Sequence, residues 1–291
     1  MQLTNSQNLP APIVNAIESQ RKRYQRGSSQ ITVTELISPP RLVALKWAHQ
    51  DEIVEDASDL IWSAVGSAVH HLLEMGADDG LAEERFYADV RGWRIGGQFD
   101  WLKAGHLVDW KMMSVWEAIN GLKKEKEEQL NILAHLARQN GHQIDKLWVG
   151  SIYRDWSKRK ARTEDGYPKK QVEMHRVTLW EPDRAQAFIE ERVALHQTAQ
   201  KELPKCSADE RWGRPNKYAV MREGRAKAMR LLNTQDEAEQ WIEQQAKQAG
   251  LTIEFRPGES TRCRDYCPVS EFCTQFQEGM KNGNGIVHHA H

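Results

Sequence analysis

The sequence predicts an α+β fold: a small mixed β-sheet flanked by helices, then a helical C-terminal portion closed by a cysteine cluster. Three observations carry this. Residues 57–76 repeat apolar side chains every three to four positions, residues 84–112 alternate aromatic and β-branched residues between glycines, and three of the four cysteines fall within 263–273. The 291 residues suffice for one large domain or two modest ones. No apolar run approaches the ~18 residues of a membrane helix. Met1–Asn5 shows no basic region leading into an apolar stretch, so a cytoplasmic protein without membrane attachment is expected. Lys and Arg number 40 against 41 Asp and Glu, a net charge of −1 that gives no global sign of a nucleic-acid partner.

The elements follow in order. Residues 10–27 read as a helix ending in the basic run Arg21, Lys22, Arg23 and Arg26. Thr34–Arg41 forms a turn into a second helix, with Pro39 and Pro40 in its first turn. In 57–76 the stripe Leu60, Ile61, Ala64, Val65, Ala68, Val69, Leu72 and Leu73 predicts a long amphipathic helix, ended by Gly76. Residues 84–112 predict three short antiparallel strands. A strong helix is expected over 124–140, strands over 145–154 and 171–180, and helices over 181–202, 216–231 and 234–249. A strand over 251–256 leads into the cysteines. The expected organisation is an N-terminal helical segment (1–55), a core (56–180), a helical cysteine-bearing region (181–278) and a flexible tail (279–291).

The stretch from Gly96 to Lys111 is the most informative. If Ala104-Gly105 is a two-residue hairpin loop, Lys103 faces His106 and Asp100 lies opposite Asp109. Opposed residues project to one face with Cβ atoms roughly 5 Å apart, and Lys111, two positions on, joins them. Two such carboxylates repel unless a cation sits between them. Hard oxygen ligands suit Mg²⁺ or Mn²⁺. A lysine beside that cation can position or deprotonate a water and stabilise an oxyanion, the chemistry of metal-assisted phosphodiester hydrolysis. The competing reading is an exposed, solvated sheet face. On the preceding helix His70 and Glu74 stand at i and i+4 and share a face. Gln129 opens the apolar face of the 124–140 helix.

Cys263, Cys267 and Cys273, with Cys206 earlier in the chain, offer four thiolates, enough for tetrahedral zinc or an iron–sulfur cluster. His288, His289 and His291 are further candidate ligands.

Together these residues resemble the PD-(D/E)XK nuclease superfamily in its RecB-like exonuclease branch, which shares a restriction-endonuclease-like core. The branch's Gly-x-x-x-His helix, Gly-x-x-Asp strand, Asp-x-Lys strand and Gln helix correspond here to Gly66–His70, Gly97–Asp100, Asp109–Lys111 and Gln129. The resemblance implies that His70, Asp100, Asp109 and the Trp110 carbonyl bind Mg²⁺ or Mn²⁺. It makes Lys111 the catalytic lysine, with Gln129 and Glu74 supporting the site. The cysteine layout is similar to CRISPR-associated RecB-like and AddB-type nuclease domains, which implies a [4Fe–4S] cluster on Cys206, Cys263, Cys267 and Cys273, with zinc as the alternative. The first spacing here is Cys-x3-Cys where those families usually show Cys-x2-Cys, and Leu133 stands where the Gln helix usually carries Tyr.

The charges are unevenly spread. Residues 154–170 hold seven basic residues against three acids, and 211–230 hold seven against Glu223 alone. Arg154, Lys158, Arg159 and Lys160 in the first, and Arg214, Lys217, Arg222 and Arg225 in the second, are the expected phosphate contacts. Trp156 and Trp212 are read evenly between core packing and base stacking. Trp62, Trp101, Trp110, Trp148 and Trp180 are expected in the core. The implied function is a metal-dependent DNA exonuclease acting on linear or single-stranded ends in recombination, repair or degradation, in a bacterial or phage-infected cell. A homo-oligomer or a separate helicase or recombination protein is the expected partner. The alternative is an inactive nuclease-fold adaptor that binds DNA without cutting it.

Overall fold

The computed structural model describes residues 1–23 and 26–281. Most of the expected tail, with His288, His289 and His291, lies outside them. The chain divides into two compact units, residues 1–43 with 54–203, and residues 44–53 with 204 onward. Among the described residues no helix is long and apolar enough to cross a membrane.

The first unit is built on a five-stranded mixed sheet. Its order is Val172–Val177, Lys146–Tyr153, His106–Met113, Trp101–Lys103 and Leu81–Ala82. The central pair, His106–Met113 and Lys146–Tyr153, is parallel, and the other pairings are antiparallel. A second sheet places Ile31–Thr32 parallel and Arg85–Val90 antiparallel to Trp93–Gln98. The expected three strands of 84–112 are therefore four, divided between two sheets. Phe99 and Asp100 leave the ladder between Gln98 and Trp101, and the chain crosses there from one sheet to the other.

The helix Lys124–Gln139 covers both sheets and buries Leu130, Ile132, Leu133, Ala134, Leu136 and Ala137. Its close approach explains Gly97: a Cβ there would stand 2.5 Å from Leu133 Cδ2 and 2.6 Å from Val33 Cγ2. The short helix Val33–Ile37 opens on a capping box between Thr32 and Glu35. Its last carbonyls are satisfied from the helix Pro182–Ala199 (Pro182 at its first turn). Arg192 donates to Leu36 O at 2.8 Å and Ser38 O at 2.6 Å, and His196 Nε2 lies 3.0 Å from Leu36 O.

The amphipathic helix forms as Ile61–Met75, yet none of its residues is buried. Trp62, expected in the core, is 61% exposed; Leu72 and Met75 are 67% and 72% exposed. The helix packs against the helix Ala11–Arg23 and the strand His106–Met113, yet much of its apolar stripe stays exposed. Of the other tryptophans expected in the core, Trp180 is buried and Trp101, Trp110 and Trp148 are half-buried.

The second unit is not simply helical. The helix expected over 216–231 is instead two strands, Lys217–Arg222 and Arg230–Leu232, joined into a three-stranded antiparallel sheet with Leu251–Arg256. Gly224 at φ +77° turns the chain where a helix would have continued. Ala219 and Val220, fully buried, point to opposite sides of the strand. The last expected helix ends early, at Glu243.

Candidate active site

The hairpin forms with the expected register. Lys103 pairs with His106, Leu102 with Leu107 and Trp101 with Val108. Ala104 and Gly105 both have positive φ, +47° and +75°, the two-residue turn whose twist matches its strands. Gly105 O also accepts from Asp145 N and Lys146 N, at 2.7 and 3.1 Å, which anchors the turn to the start of the parallel strand. Asp100 sits one step beyond the last ladder pair, and its Oδ2 accepts from Trp110 N at 2.5 Å.

Five predicted residues gather around this turn-built frame. His70 Nδ1 lies 3.2 Å from Asp100 Oδ1. Lys111 Nζ donates to Asp109 Oδ1 at 2.8 Å, and Gln129 Nε2 reaches the same oxygen at 3.5 Å. Asp109 is 3% exposed, and its other oxygen, Oδ2, is buried with no hydrogen-bond partner among the described residues. Trp110 points to the opposite side of the sheet and packs over Gly150, where a Cβ would meet its ring at 2.1 Å. Ser151, beside Lys111 in the parallel register, is fully buried with its Oγ unpartnered among the described residues.

Glu83 joins the group and was not anticipated. Its Oε1 lies 3.5 Å from His70 Nδ1, and the ligand atoms of His70, Glu83 and Asp100 fall within 4.8 Å of one another. Glu83 holds a positive φ of +53°, unusual for a side-chain-bearing residue, and Glu83 N donates to Asp100 O at 3.2 Å. Glu74 is not part of this group: it is exposed, 3.2 Å from His71 Nδ1. The i,i+4 spacing put it on the His70 face, but the second carboxylate arrives from the next strand's approach.

The electrostatics are those of an unbalanced acidic pocket. Hydrogen bonds donated by His70 to Asp100 and then to Glu83 push the His70 pKa up to about 10. Burial holds the Asp109 carboxyl above its usual range. Burial also works against the Lys111 ammonium, but Asp109, Asp100 and Glu83 outweigh it, so Lys111 stays protonated. A carboxylate oxygen buried without a partner is costly. A divalent cation would relieve it, and the adjoining group of one imidazole and two carboxylates, His70, Glu83 and Asp100, suits Mg²⁺ or Mn²⁺.

The basic residues are placed as follows. In the first unit Arg154, Lys158 and Arg159 are exposed, and Lys160 lies over the Tyr167 ring at 5.8 Å. Trp156 is half-buried and donates to Pro168 O at 2.9 Å, a packing role. In the second unit Arg214 and Arg225 are exposed, Arg225 reaching Met229 Sδ at 3.1 Å. Lys217 bonds Asn233 Oδ1 at 2.6 Å and Arg222 bonds Lys247 O at 3.3 Å. Trp212 is exposed, 5.4 Å from the Tyr266 ring, with the Arg262 guanidinium 4.8 Å from its centroid.

All four cysteines lie in the second unit. Burial raises the Cys263 and Cys267 thiols, and their closeness to each other and to Cys273 adds to it. Cys206 is fastened beside Cys273: Gln275 accepts from Cys206 N at 2.8 Å and donates to Cys206 O at 2.9 Å. No three of these sulfurs lie within 4.8 Å of one another.

No family model matches the chain, and no curated protein does. Among solved structures it is similar to the protein SSO0001, at 16% identity and a TM-score of 0.45, over 63% of this chain and 84% of that one. It is also similar to a "putative exonuclease" from Eubacterium rectale, at 14% identity and a TM-score of 0.32, over 70% of this chain and 89% of that one. What the site can do follows from its own side chains.

Proposed function

We propose that the chain is a divalent-metal-dependent deoxyribonuclease that hydrolyses phosphodiester bonds at DNA ends. The observation that carries this is the buried, unpartnered Oδ2 of Asp109 beside Lys111 Nζ and the His70–Glu83–Asp100 group. Asp109, Asp100, Glu83 and His70 would hold the Mg²⁺ or Mn²⁺, which when bound supplies charge neutralisation at the phosphate and a more acidic water.

The chain's own residues divide the remaining work. Gln129 and Lys111 both engage Oδ1 of Asp109, which fixes the carboxylate and leaves Oδ2 without a hydrogen bond among the described residues. Lys111, held as an ammonium, stabilises negative charge developing on the phosphoryl oxygens rather than taking a proton from water. Trp110 N fixes Asp100 through Oδ2, which leaves Oδ1 directed at His70. Exposed Arg154, Lys158 and Arg159 supply phosphate contacts in the same unit.

Cys206, Cys263, Cys267 and Cys273 are the proposed ligands of a [4Fe–4S] centre. Four cysteines in one compact unit, with Cys263 and Cys267 each close enough to Cys273 to have its own thiol pKa raised, support a shared metal centre. A broad visible absorption band in anaerobically purified protein is expected; a colourless protein with stoichiometric zinc overturns it.

The nuclease reading is tested by digesting end-labelled linear, nicked and circular DNA with Mg²⁺ or Mn²⁺, with Asp109→Ala as the control. Loss of linear substrate by the wild type alone is expected. DNA binding without cleavage would favour the inactive adaptor.

A further inference from the structure

Trp62 stands exposed on the helix that carries His70, eight residues and so about 12 Å before it along the axis. The guanidinium of Arg154 lies over its ring, 5.0 Å from the centroid. Arg154 follows the strand Lys146–Tyr153, and its N–H donates to Met113 O at 3.1 Å, at the end of the strand that holds Asp109 and Lys111. The pair therefore joins the two walls of the candidate site, the His70 helix and the Lys111 strand. Between Trp62 and His70 the helix presents Gly66, where an added Cβ would meet nothing within 4 Å, so the surface there is open.

An exposed indole capped by a guanidinium is suited to a flat aromatic ligand that carries negative charge. The ring face stacks a nucleobase, and the cation contacts the phosphate beside it. Exposed Lys158 and Arg159, just after Arg154 in the chain, extend the positive charge. A paired base inside a duplex has no free face to offer, so the complementary ligand is an unpaired one.

We propose that Trp62 and Arg154 form a stacking platform for an unpaired base of the strand whose phosphate reaches the His70–Asp109 site, making single strands and frayed ends the preferred substrate. This rests on the nuclease reading of that site. The platform sets where the strand lies, and it takes no part in bond breaking.

The test measures binding apart from cleavage. In a Lys111→Ala background, labelled single-stranded oligonucleotide and a blunt duplex of the same sequence are titrated by fluorescence anisotropy, with Trp62→Ala and Trp62→Phe added in turn. Trp62→Ala is expected to weaken single-strand binding about 5- to 100-fold, the range of one lost base stack, with duplex affinity changed less than about twofold. Trp62→Phe is expected to restore most of it. An unchanged melting temperature confirms that each variant is folded. Unaltered single-strand affinity in Trp62→Ala overturns the platform, as does an equal loss on blunt duplex. A change in sedimentation coefficient with DNA binding intact also overturns it and assigns the exposed face to a second copy. If the wild type cuts no DNA yet Trp62→Ala still loses single-strand binding, the nuclease reading falls and the platform stands.

Discussion

Lys111 Nζ and Asp109 Oδ1 are 2.8 Å apart, while the second oxygen of the same carboxylate is buried with no hydrogen-bond partner among the described residues. One half of Asp109 is neutralised and the other half is not.

Asp109→Asn should therefore change both stability and function. It leaves the Lys111 ammonium without its closest counter-charge, so the melting temperature should fall. Mg²⁺ or Mn²⁺ should raise the melting temperature of the wild type but not of the variant. Cleavage should fall at least 10³-fold. Thermal shift with and without metal, beside the digestion assay, reads both.

Glu83 and Glu74 should part company. Glu83 shares the His70–Asp100 group, whereas Glu74 is exposed beside His71. Glu83→Gln is expected to raise the Mn²⁺ concentration for half-maximal cleavage about tenfold or more, and Glu74→Gln to leave it within about twofold. Initial rates across a Mn²⁺ titration decide it.

Two glycines should respond in opposite directions. Gly97→Ala forces a Cβ into Leu133 and Val33 and should destabilise by about 1–3 kcal/mol. Gly66→Ala fills only open space within a helix and should stabilise by about 0.5–1 kcal/mol. Urea midpoints at constant m-value measure both.

His196 should give the fold an acid-sensitive step. It is fully buried with Nδ1 unpartnered among the described residues, and burial lowers its pKa to about 4 against 6.5 unfolded. The unfolded chain thus binds the extra proton first. Stability from this group is intact above about pH 6.5 and falls as the pH drops toward 4, by up to ~1.4 kcal/mol per pH unit. Comparing denaturation at pH 7 and pH 5 in the wild type and His196→Gln should show a shallower loss in the variant.

Much of the site was legible because a two-residue turn fixes parity. Once Ala104-Gly105 is placed, Asp100, Asp109 and Lys111 must converge. Helical period placed His70 and Gln129 with equal directness. Glu83 escaped because it belongs to no periodic element: a left-handed backbone residue aims it, and no pattern marks such a position. Periodicity also misjudged Ile61–Met75, since it reports which residues share a face, not whether anything covers that face. Over 216–231, where a helix is expected, burial of Ala219 and Val220 on opposite sides of a strand decides otherwise.

The hairpin turn is bonded at once to its own strands and to the start of Lys146–Tyr153. His70, Glu83, Asp100 and Asp109 all precede the residues that later enclose them. During synthesis the acidic set would thus be complete before the Gln129 helix and the parallel strand exist to dry it. Local hairpin closure is fast, and the distant parallel pairing is slow. A chain halted near residue 115 would hold these side chains in water. The chemistry of Asp109 is acquired only when sequence far downstream arrives to bury it.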